Sequence, residues 1–194
     1  MTLAVEPKLM TIDEFLAMPD SVGYELIEGV LVERPTAGGG PMGALSDHVA
    51  VKIITHLNAF VEERSAGYVF GASSTYRCFG EPNTGRRADV SFIRRGRLPG
   101  ERIPEGAIEI PADLAVEVVS PHDLAYEVEE KVALYLRHGF AEIWVIYPNT
   151  RTLHIHRKGE PILSLDAEQT LKGRDALEGF SVPVASFFPP TPAA

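Results

Sequence analysis

Residues 114–119 read Leu-Ala-Val-Glu-Val-Val, an almost unbroken apolar run with a single carboxylate at Glu117. A short run of this kind, without polar alternation, predicts a strand covered on both faces. A charged side chain inside it costs several kcal/mol in principle unless it is paired, protonated or bound to a metal. Whatever fold the chain adopts must therefore layer structure on both sides of this strand and supply Glu117 with a partner.

The surrounding punctuation predicts what those layers are. Thr11 with Glu14 three residues on resembles a capping box opening a short helix through Met18, which Pro19 and Asp20 stop. Residues 24–34 form a β-rich run, followed by a Gly-rich loop over 37–43. Leu45, Val49, Ile53, Leu57, Phe60 and Val61 recur at helical spacing, so 46–63 predicts a long helix ending near Gly67. Residues 68–79 and 88–93 read as strands joined through the turn-rich 80–85, suggesting a hairpin. A second helix is expected over 122–138, ended by Gly139, and further strands over 143–147 and 152–156. The stretch from Glu117 to Ile146 has the length of one right-handed crossover, which would make the strands at Leu114 and Ile143 parallel neighbours. The expected fold class is α/β (α+β), a mixed central sheet flanked by helices. The Pro-rich C-terminal tail is expected on the surface.

With 194 residues, one domain is expected, its core at about 10–185 with short terminal extensions. Apolar stretches are broken by charge every few residues and no signal-peptide pattern opens the chain, so no membrane segment is expected and the default location is cytoplasmic. A lone cysteine, Cys78, excludes an internal disulfide and a thiolate metal cluster. The net charge of -9 argues against a surface that coats nucleic acid throughout. Basic residues are nonetheless clustered, and Arg86, Arg87, Arg94 and Arg95 are candidates for DNA-backbone contacts, the alternative being a solubilising loop.

Asp89, on the preceding strand, is the natural companion of Glu117. Two carboxylates brought together repel, and a hard divalent cation relieves the repulsion, so Mg2+ fits, with Mn2+ as a substitute. The backbone carbonyl of Val118 can turn toward such an ion. Lys131 lies near the edge of the apolar stripe of the second predicted helix, from which its amine could reach the carboxylates; the alternative is a surface pair with Glu127 at helical spacing. His154 and His156 share a strand face without a third ligand and read as structural. Ser46, Asp47 and His48 are consecutive on a helix, which does not build a hydrolase triad. The Gly-rich loop lacks a P-loop lysine.

Taken in order, Tyr24-Glu25-Leu26-Ile27-Glu28-Gly29, His48, Ala88-Asp89-Val90-Ser91, Ala115 to Pro121, Lys131, Tyr135, Gly139 and Glu142 to Pro148 closely resemble the bacterial putative restriction endonuclease family of the PD-(D/E)XK nuclease superfamily. The resemblance implies a restriction-endonuclease-like αβββαβ core, Asp89 and Glu117 as metal ligands, and Mg2+ as the ion. It also implies an early acidic position at Glu25, with Glu28 on the opposite face of the same strand, and an accessory role for His48 toward a carboxylate or phosphate. Two positions depart from the superfamily signature: Ala88 stands where Pro is usual, and Val119 stands where Lys is usual, two residues after Glu117. Members of the resembling family often carry the lysine on the next helix instead, where Lys131 stands.

The function implied is hydrolysis of DNA phosphodiester bonds by a Mg2+-dependent endonuclease, with Asp89, Glu117, Lys131 and Glu25 catalytic and a homodimer cutting both strands. The rivals are a nuclease-fold module that binds nucleic acid or protein without turnover, and a hydrolase acting on RNA or a nucleotide.

Overall fold

The computed structural model describes residues 9–19, 21–33, 43–80, 83–121 and 123–190. Most of the Gly-rich loop, part of the 80–85 turn, His122 and the last four residues lie outside them.

Helix α1 (Ile12–Leu16) carries the expected capping box, with Thr11 Oγ1 accepting from Glu14 N and the Glu14 carboxylate accepting from Thr11 N. The run at 24–34 is a hairpin, β1 (Tyr24–Ile27) and β2 (Val30–Glu33), turning at Glu28 and Gly29, which both have positive φ. Such a pair is the signature of the tight turn that matches strand twist. Glu28 therefore sits in the turn, which corrects its expected place on the opposite face of a strand shared with Glu25.

Helix α2 (Ala44–Arg64) buries Val49, Ile53, Leu57, Phe60 and Val61, as its periodicity predicts; Leu45, at its open end, is exposed. The central sheet has strand order β3-β4-β5-β6-β7-β8, with β3 (Gly67–Gly71), β4 (Val90–Arg94), β5 (Leu114–Val118), β6 (Glu142–Tyr147), β7 (Thr152–Arg157) and β8 (Leu163–Leu165). Strands β5 and β6 are parallel and joined through α3 (Ala125–Arg137), while every other neighbouring pair is antiparallel. The order α2-β3-β4-β5-α3-β6 is the expected αβββαβ core. Strand β3 is shorter than the run at 68–79 suggested. Gly71 ends it, and the chain from there to β4 is held by isolated bridges of Tyr76 to Arg86 and to Ile108, so β3 and β4 pair without a tight hairpin turn.

Alternation along the strands sorts the core into two layers. Val90, Phe92, Leu114, Val116, Val118, Trp144 and Ile146 face α2, whereas Ile93, Ala115, Ile143 and Val145 face α3 with Val132, Tyr135 and Phe140. The C-terminal segment departs from the expected surface tail. After β9 (Thr170–Lys172) and β10 (Ser181–Pro183), Val184, Phe187 and Phe188 are buried in the α2 layer. Aromatic side chains spaced among prolines read as a tail, yet α2 and the sheet leave an apolar flank that they cover. Among the described residues, no helix is long and apolar enough to cross a membrane.

Candidate active site

Asp89 immediately precedes β4 and Glu117 lies within β5, and both belong to the residues that alternate toward α3. The antiparallel register sets Val90 opposite Val116, so the two carboxylates meet where β4 begins. Asp89 N donates to Val116 O at 3.0 Å. The Asp89 carboxylate extends that ladder by accepting from Val118 N through Oδ2 at 2.8 Å. Because the N–H and C=O of one strand residue point the same way, the Val118 carbonyl is also directed to the Asp89 side of β5.

Lys131 reaches this point from α3. Its Nζ donates to Glu117 Oε2 at 2.9 Å and to the Arg87 carbonyl at 2.9 Å, and lies 3.4 Å from Glu25 Oε1. Three oxygens thus match the three N–H donors of an ammonium. The surface pair with Glu127 is not formed; Glu127 instead accepts from the Tyr126 hydroxyl.

Glu25 arrives from the β1–β2 hairpin. Leu26 and Gly85 exchange backbone hydrogen bonds of 2.8 and 2.9 Å, laying β1 against the segment that leads to Asp89. A Cβ at Gly85 would stand 2.6 Å from Ile12 Cδ1 and 3.1 Å from Thr75 Cγ2, so this approach needs the missing side chain. Glu25 Oε1 accepts from Arg87 N at 2.7 Å and its Oε2 lies 3.3 Å from Arg86 Nη1. Glu25, Asp89 and Glu117 are all buried.

Burial pushes the Glu117 carboxyl up to about 7; the Lys131 ammonium works against this, while Asp89 and then Glu25 add to it. Its Oε1 is buried without a hydrogen-bond partner, although Oε2 is held by Lys131. Such an orphaned buried acceptor fits a cation ligand. Among the described residues no set of three or more His, Cys, Asp or Glu side chains is arranged to hold a metal. An ion here would be held by Asp89, Glu117 and the Val118 carbonyl, and the donor set is all oxygen and incomplete, as suits an ion that keeps several waters.

The other candidates are distributed differently. Arg86 and Arg87 are buried rather than offered to a nucleic-acid backbone: Arg86 pairs with Glu25, and the Arg87 guanidinium donates to Thr75 Oγ1 and to Ser21 while lying 5.1 Å over the Phe15 ring. Arg94 and Arg95 are exposed but stand at the other end of β4, about 16 Å from Asp89 at the usual rise per residue. Arg94 and Arg97 engage Asp113 there, and Arg95 caps the carbonyl of Ser65 at the end of α2. Of the four arginines offered for backbone contacts, Arg86 and Arg87 are thus turned into the protein, while Arg94 and Arg95 stay on the surface away from the carboxylates. His48 is exposed near the start of α2, on the layer opposite Glu117; from that helix it is Ser46 that approaches the site, its hydroxyl donating to Val119 O at 3.5 Å.

Sequence reasoning did not reach Asp123. It accepts from Ser120 N at 2.6 Å, burial raises its carboxyl above the usual range, and it feels both Asp89 and Lys131. The Ser-Pro-x-Asp turn after β5 was its only signal. A cleft of about 340 Å³ lined in part by Ser73, Ser74, Thr75 and Ile103 shares Arg87 with the site but none of Asp89, Glu117 and Lys131.

No curated protein matches the chain. Among solved structures it is similar to a putative nuclease of the DUF820 group from Anabaena variabilis, with a TM-score of 0.74 and 22% identity over 92% of this chain and 97% of that one. That likeness supports the fold, a mixed sheet flanked by helices. With residues 12–185 matching the sequence profile described as Uma2, putative restriction endonuclease, the chain belongs to that family.

Proposed function

We propose that the protein is a metal-dependent endonuclease that hydrolyses DNA phosphodiester bonds at the Asp89, Glu117 and Lys131 cluster. The observation that carries this reading is the division of labour on Glu117: Oε2 is taken by Lys131, and Oε1 is buried and unpartnered on the face that Asp89 shares. Family membership and the name of the Anabaena variabilis neighbour support a nuclease in general.

When bound, Mg2+ would supply Lewis-acid stabilisation of the phosphate's non-bridging oxygens and a more acidic water. Asp89 and Glu117 would ligate it with the Val118 carbonyl. Lys131, held by oxygens from β1, β5 and the chain before Asp89, presents fixed positive charge where charge develops on phosphate, and it orients the attacking water once one of these oxygens gives up its N–H. Glu25 holds Lys131 and Arg86 in register from the far side. Water oxygen attacks phosphorus in line and gives up a proton to solvent, one P–O ester bond breaks, and the leaving oxygen takes up a proton from solvent. Double-strand cutting would call for two copies of the site, hence a homodimer.

A second reading, a binding module without turnover, is favoured by the engagement of Lys131 with three protein oxygens. Cleavage of plasmid and single-stranded DNA with Mg2+ or Mn2+ separates the two. Activity that disappears in Asp89→Ala, Glu117→Ala and Lys131→Ala, each by more than about 100-fold, supports the nuclease. A wild type that binds metal and cuts nothing gives the site to the binding module.

A further inference from the structure

Among the described residues, four buried side-chain atoms lack a hydrogen-bond partner: Arg86 Nε, Glu117 Oε1, Ser120 Oγ and Tyr135 Oη. Unpartnered buried polar atoms are rare and costly, and here two of them belong to Glu117 and to Arg86, the ion-pair partner of Glu25. The Tyr135 phenol is pushed well above its usual range by burial first, then by Glu117 and Glu25, with Arg86 opposing. Lys131 Nζ, 2.9 Å from Glu117 Oε2, lies 5.9 Å from the Tyr135 ring centroid, so the phenol and the carboxylate flank the same ammonium, and neither Tyr135 Oη nor Glu117 Oε1 has a hydrogen-bond partner.

The ring cannot be elsewhere. Tyr135 is fully buried, its ring centroid 4.6 Å from Phe140 and 6.0 Å from Phe79. It follows Lys131 by one helical turn, so both project from the same face of α3 toward β5. Phenylalanine would provide all of this packing, and a hydroxyl buried without purpose at this position would only destabilise.

We propose that Tyr135 is a positioning residue for Glu117, its hydroxyl donating to Oε1 while Lys131 holds Oε2, so that two donors one turn apart on α3 fix the rotation of the carboxylate. Each carboxylate oxygen carries two lone-pair sites, so Oε1 can accept from Tyr135 and still face a cation beside Asp89. Arg86 lies 3.3 Å from Glu25 Oε2 and balances its charge. The metal part of this inference rests on Glu117 being a metal ligand; the Tyr135–Glu117 contact does not.

The test is a double-mutant cycle in metal-free protein, with denaturant midpoints of wild type, Tyr135→Phe, Glu117→Ala and the double variant. Expected is a midpoint that falls on Tyr135→Phe in the wild-type background and does not fall in the Glu117→Ala background. A midpoint shift of the same sign and size in both backgrounds overturns the proposal. Mn2+ binding measured alongside is expected to weaken about tenfold in Tyr135→Phe, the scale of groups that orient metal ligands. A wild type that binds no Mn2+ removes the metal reading of Glu117, and the cycle still decides Tyr135.

Discussion

At the scale of single residues, the chemistry turns on how one buried carboxylate is shared. Glu117 holds its proton more tightly in the folded chain than in the unfolded one, because burial raises its carboxyl to about 7. The stability it contributes is complete below the ordinary carboxylate range and is lost as pH rises through about 7. A divalent cation competes with that proton. The thermal stabilisation by saturating Mn2+ is therefore expected to be small near pH 5.5 and to grow to a plateau above about 7, read by Tm at fixed metal concentration. A metal-induced shift that is flat across this range would mean that the ion binds elsewhere. Cys78 offers a second check: burial pushes its thiol up to about 12, so alkylation at neutral pH should be at least tenfold slower than that of a free cysteine. Fast labelling of the native protein would contradict its burial.

Between elements, the site is an assembly of four pieces: β1, the segment before β4, β5 and α3. The joint most exposed to a single substitution is Gly85, against which Ile12 and Thr75 pack and through which β1 is hydrogen-bonded. Gly85→Val is expected to cost about 1–3 kcal/mol by overpacking. It should also shift Glu25 away from Arg87 and Lys131, lowering kcat with little change in metal affinity, because Asp89 and Glu117 sit on other strands. Urea unfolding and cleavage kinetics on the same variant check both. Equal loss of metal binding would show that β1 supports the ligands themselves.

Over the whole molecule, the C-terminal segment completes the core. Phe187 is fully buried in the α2 layer and meets His56 edge to face at 5.7 Å. Phe187→Ala should cost about 3–5 kcal/mol. A chain ended after residue 180 should lose its cooperative unfolding transition. Retention of native stability in either variant would make the segment an appendage. Charge also acts at this scale: with -9 overall and the exposed arginines at the far end of β4, any DNA binding has to be local, and its salt slope should correspond to few phosphate contacts.

How much of this was legible beforehand follows from the range of the forces involved. The capping box at Thr11, the stripe of α2, the buried strand around Glu117 and the parallel partner of β5 are local patterns or simple chain geometry, and each is written in residue spacing. The same holds for Asp89, Glu117 and Lys131 as a set, once residue order is compared with a known family. The fates of the arginines were not legible. Arg86 and Arg87 look like surface charge in sequence, but their partners Glu25, Thr75 and Ser21 come from distant positions, and only packing makes those pairings cheaper than solvent. Glu28 was misplaced because a turn and a strand differ there by two backbone dihedrals that Gly29 permits. The buried aromatic tail and the reach of Lys131 to Glu117 and Glu25 belong to tertiary structure for the same reason. The sequence by itself determined that Glu117 carries charge into an apolar strand; the tertiary structure decided which other charged side chains are buried and which of them face one another, because burial energies depend on partners that the chain order does not bring together.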